Sequence, residues 1–562
     1  MSEGLRESAT STTTAEAKHQ STAAELAVIV LLSLAPFVWR KAVGGDHIPA
    51  ADSWAYERIF ATFHEHHTIR LVGWNDINLL GMLPVAEVWV AIFGYGRDQL
   101  HLLGSFMAAV ALLGFNNLLR SLGVAQRVPA LVLLGTFSGF VGVAGTFQSD
   151  AFALAGAIWA IALAVHLYRR AEPHFTERRL RWFHHEVTLA VAAAVSAAYA
   201  FSVRQQAVVA GIGALLVCWY CRHRNPAAWK AFAITYVAIV APFYLWRRGL
   251  ANGGSVEIGF HPRSILAALQ WNTVSLGLLL APAVTWLVIR SRRRTGDLAL
   301  LFALGGALLL AGHASRMRAP QERGVMTEMW HHFGTWASAL PLLALFTFAA
   351  SGWVWVGRRV LRERSVRANS DTSALMARVL LICLAIELLV AFTSTYFSRY
   401  SLLSGMVAIG WMFLRPIRQR ALAIGLVVLM CGLSYWELDQ TVAANEATER
   451  AGAIAACLGV PPTRLDAGFF WDGMHYEGIA AANGGTHHDD GLPDSIDHPY
   501  YPEMQRDAVV VDRPAPHSDT LLQIGPLASH GLLPWNRKEF WLVVRRAVAS
   551  VTELEGCASA NS

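Results

Sequence analysis

The run Ala24-Glu25-Leu26-Ala27-Val28-Ile29-Val30-Leu31-Leu32-Ser33-Leu34-Ala35-Pro36-Phe37-Val38 holds a single charged residue and does not alternate in polarity. As a helix it rises about 1.5 Å per residue, so ~20 residues of this kind cross the roughly 30 Å of bilayer hydrocarbon. Continuous runs of this kind argue for spanning helices and against a barrel, whose strands alternate. Working outward, comparable runs centre near residues 110, 137, 160, 195, 213, 238, 277, 305, 345, 384, 408 and 427, which with the first gives about thirteen spans. The whole chain agrees: its 562 residues are 54% hydrophobic and 15% charged, with a mean hydropathy of +0.38. That is too apolar and too long for one soluble domain.

Parity tests the threading. With the N-terminus in the cytoplasm, the inner connections are Arg120 to Arg127, Arg169 to Arg181, Arg222 to Lys230, Arg290 to Arg294, Arg358 to Arg367 and Arg415 to Arg420, and each is arginine-rich. This is the charge bias that sets membrane orientation, so the basic pI near 9.1 does not indicate nucleic acid. Three regions follow. Residues 1–22, rich in Ser, Thr and Ala, form a disordered cytoplasmic tail ahead of an uncleaved first span. Residues 23–436 form the membrane domain, with a first outer loop at 41–98. Residues 437–562 form a small extracytoplasmic α/β domain. Within the outer loop, Met82 to Phe93 is apolar but short and carries Pro84 and Glu87, which suits an interfacial helix.

The C-terminal region turns polar, with a helical start from Gln440 to Leu458 and short apolar runs at Leu465 to Trp471, Ala508 to Val511 and Phe540 to Val544 spaced by turn residues. Cys457 and Cys557 both fall in it, outside the membrane, where a disulfide is permitted although spacing does not fix its geometry. Cys218 and Cys221 form a C-x-x-C with no accompanying ligand set, which argues against metal. No internal repeat is evident.

Two carboxylates stand at outer span edges, Asp52 in Asp52-Ser53-Trp54-Ala55-Tyr56 and Asp150 in Gly145-Thr146-Phe147-Gln148-Ser149-Asp150. Charge at the edge of hydrocarbon is costly without a partner or a task. On a helix Asp52 and Tyr56 share a face, and the carboxylate could take a proton from a hydroxyl; Asp52 is equally a natural helix cap, as is Asp150 before the span from Ala151. Outer arginines that orientation does not ask for are Arg204, Arg247, Arg248, Arg263, Arg316, Arg318, Arg323 and Arg399, and as a set they suggest an anionic ligand at the outer surface. Singly, each could meet lipid phosphates. His331 and His332 beside Trp330 join that set or belong to an interfacial aromatic belt. His64, Glu65, His66 and His67 lack an obvious third metal ligand, and His487, His488, Asp489 and Asp490 read first as a solvated loop. Asp472 and Tyr476 could touch an acceptor or simply form a turn.

Several of these features together resemble the polytopic GT-C membrane glycosyltransferases, especially the lipid A aminoarabinose transferase and protein O-mannosyltransferase group. The resemblance covers roughly residues 25–170: Asp52 and Tyr56 opening the first outer loop, the Pro-containing interfacial segment from Pro84 to Phe93, Phe93-Gly94-Tyr95-Gly96 leading into a span, and Asp150 at the outer start of a later one. Two later segments add to it, Ser202-Val203-Arg204-Gln205-Gln206 and Tyr396-Phe397-Ser398-Arg399-Tyr400, each setting a guanidinium where a lipid-linked phosphate would lie. The resemblance implies an all-α polytopic membrane fold of about thirteen helices in the cytoplasmic membrane, transferring a hexosyl or pentosyl group from a polyprenyl-phosphate donor to an envelope glycan, lipid or protein acceptor on the extracytoplasmic side. It implies Asp52 as the base, Asp150 as a holder of acceptor or of a divalent cation, and Tyr56, Arg204, Arg247, Arg263, Arg318, His331, Arg399 and Tyr400 as substrate-binding residues. Ser53 departs from the acidic residue often found there, which disfavours a paired-carboxylate metal site at Asp52. The competing function is a transporter or flippase of lipid-linked envelope intermediates; such proteins usually carry ionisable groups mid-span, and here only Glu387 qualifies.

Overall fold

The computed structural model describes residues 3–45, 52–71, 78–170, 179–223, 225–250, 371–391, 401–414, 420–476, 503–516, 518–532 and 537–560, with isolated positions between 276 and 354 and at 492–493 and 501. Its helices run α1 (Glu3–Ala42), α2 (Ser53–His66), α3 (Met82–Phe93), α4 (Arg97–Ser121), α5 (Arg127–Gly135), α6 (Ser138–Val143), α7 (Ser149–Arg170), α8 (Arg179–Val203), α9 (Val208–Tyr220) and α10 (Pro226–Arg248). There follow α11 (Asp371–Ala391), α12 (Leu402–Met412), α13 (Arg420–Cys457), α14 (Phe469–His475) and α15 (Val551–Ala560). Among the described residues, five helices are long and apolar enough to cross a membrane: Thr22–Ala42 within α1, α4, α7, His185–Val203 within α8, and α10. The molecule is thus an integral membrane protein. The spans expected near residues 277, 305 and 345 lie largely outside the described residues.

The central helix is α7, packed between α4 and α8. Its sequence suits that place, since Ala151, Ala153, Ala155, Gly156, Ala157, Ala160, Ala162 and Ala164 let neighbouring backbones approach closely where apolar burial gives no driving force within lipid. At the periphery α10 instead exposes Ile234, Val237, Leu245 and Trp246, a surface suited to lipid. Two ends of the bundle are distinguished by charge. At one, Glu25 of α1 binds Arg120 (2.7 Å) and Arg127 (2.6 Å), so the start of the first span meets the arginine-rich α4–α5 connection. At the other lie Asp52, Asp98, Asp150 and Arg204, with Lys41 holding Asp98 at 3.1 Å.

Helix α1 continues back to Glu3; extending an existing helix costs little once its nucleus is formed. Two sequence expectations change. The span near 137 is broken at Thr136–Phe137 into α5 and α6, and the Thr136 carbonyl exposed by the break accepts a hydrogen bond from Ser434 Oγ at 2.8 Å. Helix α13 runs unbroken through residue 437, so the helical segment from Gln440 continues a helix that begins at Arg420.

Beyond that helix a four-stranded sheet forms from β1 (Leu465–Asp466), β2 (Ala508–Val511), β3 (Leu521–His530) and β4 (Arg537–Arg545), in the order β1-β2-β4-β3. Strand β1 is parallel to β2, and the other pairs are antiparallel. The two-residue period divides the sheet's faces: Ala508, Val510, Leu542 and Val544 join the core with α13, while Val509, Val511 and Val543 pack with Leu492, Leu521 and Trp541. The run from Leu465 to Trp471 is strand only at its start and then turns into α14, because Gly468 at φ 91° breaks the extended chain. Cys457 and Cys557 are bonded and tie the end of α13 to α15. Asp439, fully buried, accepts from Trp39 Nε1 (3.1 Å) and from Leu532 N (2.9 Å), fastening the sheet domain to both α1 and α13.

Candidate active site

Asp52 occupies the N-cap position of α2, and its carbonyl accepts from Ala55 N at 3.1 Å, yet its side chain makes no capping hydrogen bond to the helix amides. The cap position is therefore correct, while the carboxylate is not used to cap. The helix that follows buries Ser53, Trp54, Ala55, Tyr56, Glu57, Ile59 and Phe60, so its first turn is enclosed on all sides. Phe60 meets Phe147 edge-on at 5.9 Å, which joins α2 to the loop that delivers Asp150. That loop lies hard against α4, where the Thr146 carbonyl occupies the space a side chain at Gly104 would need.

Asp150 sits in the first turn of α7, and its carboxylate accepts a charge-assisted hydrogen bond from Nη1 of Arg204. Both side chains are buried. Arg204 reaches it because the backbone there is extended (φ −141°, ψ 128°), ending α8 and starting a 3-10 turn at Gln205–Ala207 before α9. Two charges leave water here at a cost of several kcal/mol each, which their mutual attraction offsets only with good geometry. The pair opens onto a cavity of about 70 Å³ whose walls are Ala153, Leu154, Ala157, Ala207, Val209, Leu402 and Leu403, with Gln206 and Glu387 as its other polar members. Apolar walls with a few convergent polar groups are shared with small-molecule pockets, which are larger, at roughly 300–1,000 Å³.

Glu387 accepts from the hydroxyl of Ser404 on α12. It lies sixteen residues along α11 from Asp371, ~24 Å of rise, so it belongs to the Asp150 end of the bundle and not to the middle of a span.

Of the residues singled out from sequence, the structure unites Asp150 with Arg204 and connects them through Phe147 to the helix of Asp52 and Tyr56. Tyr56 is buried, and Arg247 is buried at the end of α10 but does not line the cavity. Arg263, Arg318, His331, Arg399 and Tyr400 lie outside the described residues. His64 turns out to be a fastener: its Nδ1 lies 3.0 Å from Glu87 of α3, and its ring stacks on Tyr95 at 5.1 Å. Burial, and then the charge of Glu57, push the Tyr95 hydroxyl above its ordinary range.

A second polar cluster went unread in the sequence. Glu57 accepts from Arg97 Nε at 2.7 Å and lies 3.4 Å from Nε2 of the buried His101. Its signal was Arg97 and His101, four apart at the start of α4 and thus on one face. A divalent cation does not fit at Asp150, whose carboxylate already meets a guanidinium, and among the described residues no group of three or more His, Cys, Asp or Glu side chains could hold one.

No family model and no curated protein matches the chain. Among solved structures the similar ones are membrane glycosyltransferases of the GT-C class. They include the Archaeoglobus fulgidus oligosaccharyltransferase in complex with zinc and sulfate (14% identity over 76% of this chain and 55% of that one, TM-score 0.43). The same organism's AglB, in complex with an inhibitory peptide and a dolichol-phosphate, gives 13% identity over 77% of this chain and 58% of that one (TM-score 0.41). ArnT from Cupriavidus metallidurans bound to undecaprenyl phosphate gives 14% identity over 81% of this chain and 85% of that one (TM-score 0.34). The chain thus spans a little over half the length of the oligosaccharyltransferase. The chemistry has to be argued from its own residues.

Proposed function

We propose that this protein is a membrane glycosyltransferase that moves a hexosyl or pentosyl group from a polyprenyl-phosphate donor to an acceptor on the extracytoplasmic side. The observation that carries this reading is the Asp150–Arg204 pair set into an apolar-walled cavity at the end of the bundle opposite the arginine-rich connections. A guanidinium at the edge of an apolar-walled cavity suits a phosphate attached to an apolar chain. The arginine-rich end is the cytoplasmic one by the positive-inside rule, which puts the N-terminus inside and the sheet domain outside. The Cys457–Cys557 bond supports that side, since disulfides persist in oxidising compartments.

In the mechanism, Asp52 takes the proton from the acceptor hydroxyl as its oxygen attacks the anomeric carbon. The bond from that carbon to the donor phosphate oxygen breaks, and its electron pair leaves on the phosphate. Arg204 stabilises the charge gathering there, and Asp150 holds the guanidinium in place. A lipid phosphate leaves without protonation, so no general acid is required. One displacement inverts the anomeric centre.

The test uses purified full-length protein in liposomes with radiolabelled polyprenyl-phosphate sugars. Asp52→Asn should slow transfer by about a hundred- to ten-thousand-fold while donor binding stays intact. Undiminished transfer in that variant removes Asp52 as the base. Movement of the lipid across the bilayer without transfer would instead identify a flippase.

A further inference from the structure

Helix α14 belongs to the exported half of the chain, yet it rests on the helix that begins with Asp52. The backbone of Gly473 lies flat on the indole of Trp54, so closely that a Cβ would overlap Cδ2, Cε2 and Cζ2 of the ring. Trp54 is fully buried. One turn further along α2, Arg58 donates through Nη1 to the carbonyls of Gly473 (3.3 Å) and Tyr476 (3.2 Å). A cation at the carbonyl end of a helix is where the backbone dipole favours it.

Helix α14 is itself held firmly. Buried Asp472 accepts from Ala467 N at 3.0 Å, and its carbonyl accepts from Tyr476 N at 2.8 Å. The Trp471 ring fills the space beside Gly452 on α13, the helix that descends into the membrane half. A rigid path therefore runs from α13 through Trp471 and Gly473 to Trp54, which is two residues, ~3 Å of helical rise, from Asp52.

We propose that α14 positions Asp52: Gly473 and Arg58 fix where α2 sits, so the exported domain sets the alignment of the base against its acceptor. This rests on the reading of Asp52 as that base. A misplacement of about 1 Å in a reacting group can cost on the order of a hundredfold in rate, while substrate binding elsewhere is spared. The effect belongs in kcat and not in the donor KM.

The experiment measures transfer kinetics and hydrogen exchange over residues 53–66 in the full-length protein. Gly473→Ala should lower kcat by about ten- to a hundredfold, leave the donor KM within roughly threefold, and speed exchange in α2. Adding Trp54→Val, which removes the whole ring that the new methyl would meet, should recover kcat and slow exchange again. Should Gly473→Ala not accumulate, Arg58→Met removes the two carbonyl contacts without overfilling the interface and is read by the same quantities. Wild-type kcat and wild-type exchange in these variants would overturn the proposal, as would a loss of kcat that Trp54→Val does not repair. If Asp52→Asn retains full transfer while Gly473→Ala still loosens α2 reversibly, the base assignment falls and the control of α2 by α14 stands.

Discussion

Two buried aspartate–arginine pairs, one in each half of the molecule, have the same chemistry and different surroundings. Asp466 and Arg506 lie within the sheet domain with side chains 1% and 2% exposed, at 3.3 Å. The same guanidinium donates to the carbonyls of Pro493 (3.0 Å) and Leu492 (3.4 Å), so it staples a loop to the end of β1. Asp150 and Arg204 are almost as buried, but they line a cavity with apolar walls. Burial of an ion pair therefore does not mark a site by itself. What separates the two is that one is enclosed by the chain's own carbonyls, while the other faces a space into which a ligand can come.

The sharpest way to break the comparison is to remove one cation from each. Arg506→Met leaves Asp466 buried beside a hydrophobe, a change worth about 3–5 kcal/mol of stability; thermal unfolding of the purified protein should show the sheet domain melting much earlier. Arg204→Met should cost less, about 1–3 kcal/mol, because Asp150 lines a cavity large enough for water to reach its carboxylate. Its transfer rate should nevertheless fall by about a hundred- to a thousandfold, the usual loss when a group stabilising a developing anion is removed. Equal melting of the two variants, with equal residual transfer per folded molecule, would mean that both pairs are structural.

Asp150 and Arg204, singled out separately and not as a pair, differ from the unread contacts in how far the chain must fold before residues meet. Asp150 and Arg204 open and close two consecutive helices of similar length joined at the arginine-rich end, so hydropathy alone brings their far ends level. The Asp52 cap position, the short helix α3 and the strands at Ala508–Val511 and within Arg537–Arg545 were legible for the same reason, because each depends on local pattern. Glu57 with Arg97 and His101 was missed because nothing local ties α2 to the start of α4. The contact of Gly473 with Trp54 crosses more than four hundred residues and depends on the exact path of α13. The break at Thr136 was invisible for a similar reason: the hydroxyl that satisfies its carbonyl comes from Ser434, on a helix 298 residues away.

The smallest expected effect tests whether the two halves are coupled where they touch. His475 ends α14 with its ring 4.1 Å from that of Trp471, and burial, followed by the charge of Arg97, holds its pKa below the ordinary imidazole value of 6.5. Glu57 lies on Arg97 and tempers that charge. Because the folded pKa is the lower one, the unfolded chain binds more protons between the two values. The stabilisation from neutral His475 is complete above pH 6.5 and is lost as pH falls through the folded value. Acidification from pH 7.5 to 5.5 should therefore loosen α14 on α2, seen as faster hydrogen exchange in residues 53–66 after correction for the intrinsic pH dependence. His475→Gln cannot take up the proton, and its exchange should not change over that range. If wild type and variant respond alike, protonation of His475 does not govern the docking, and the contact between the halves is held by Trp54, Arg58 and Gly473 alone.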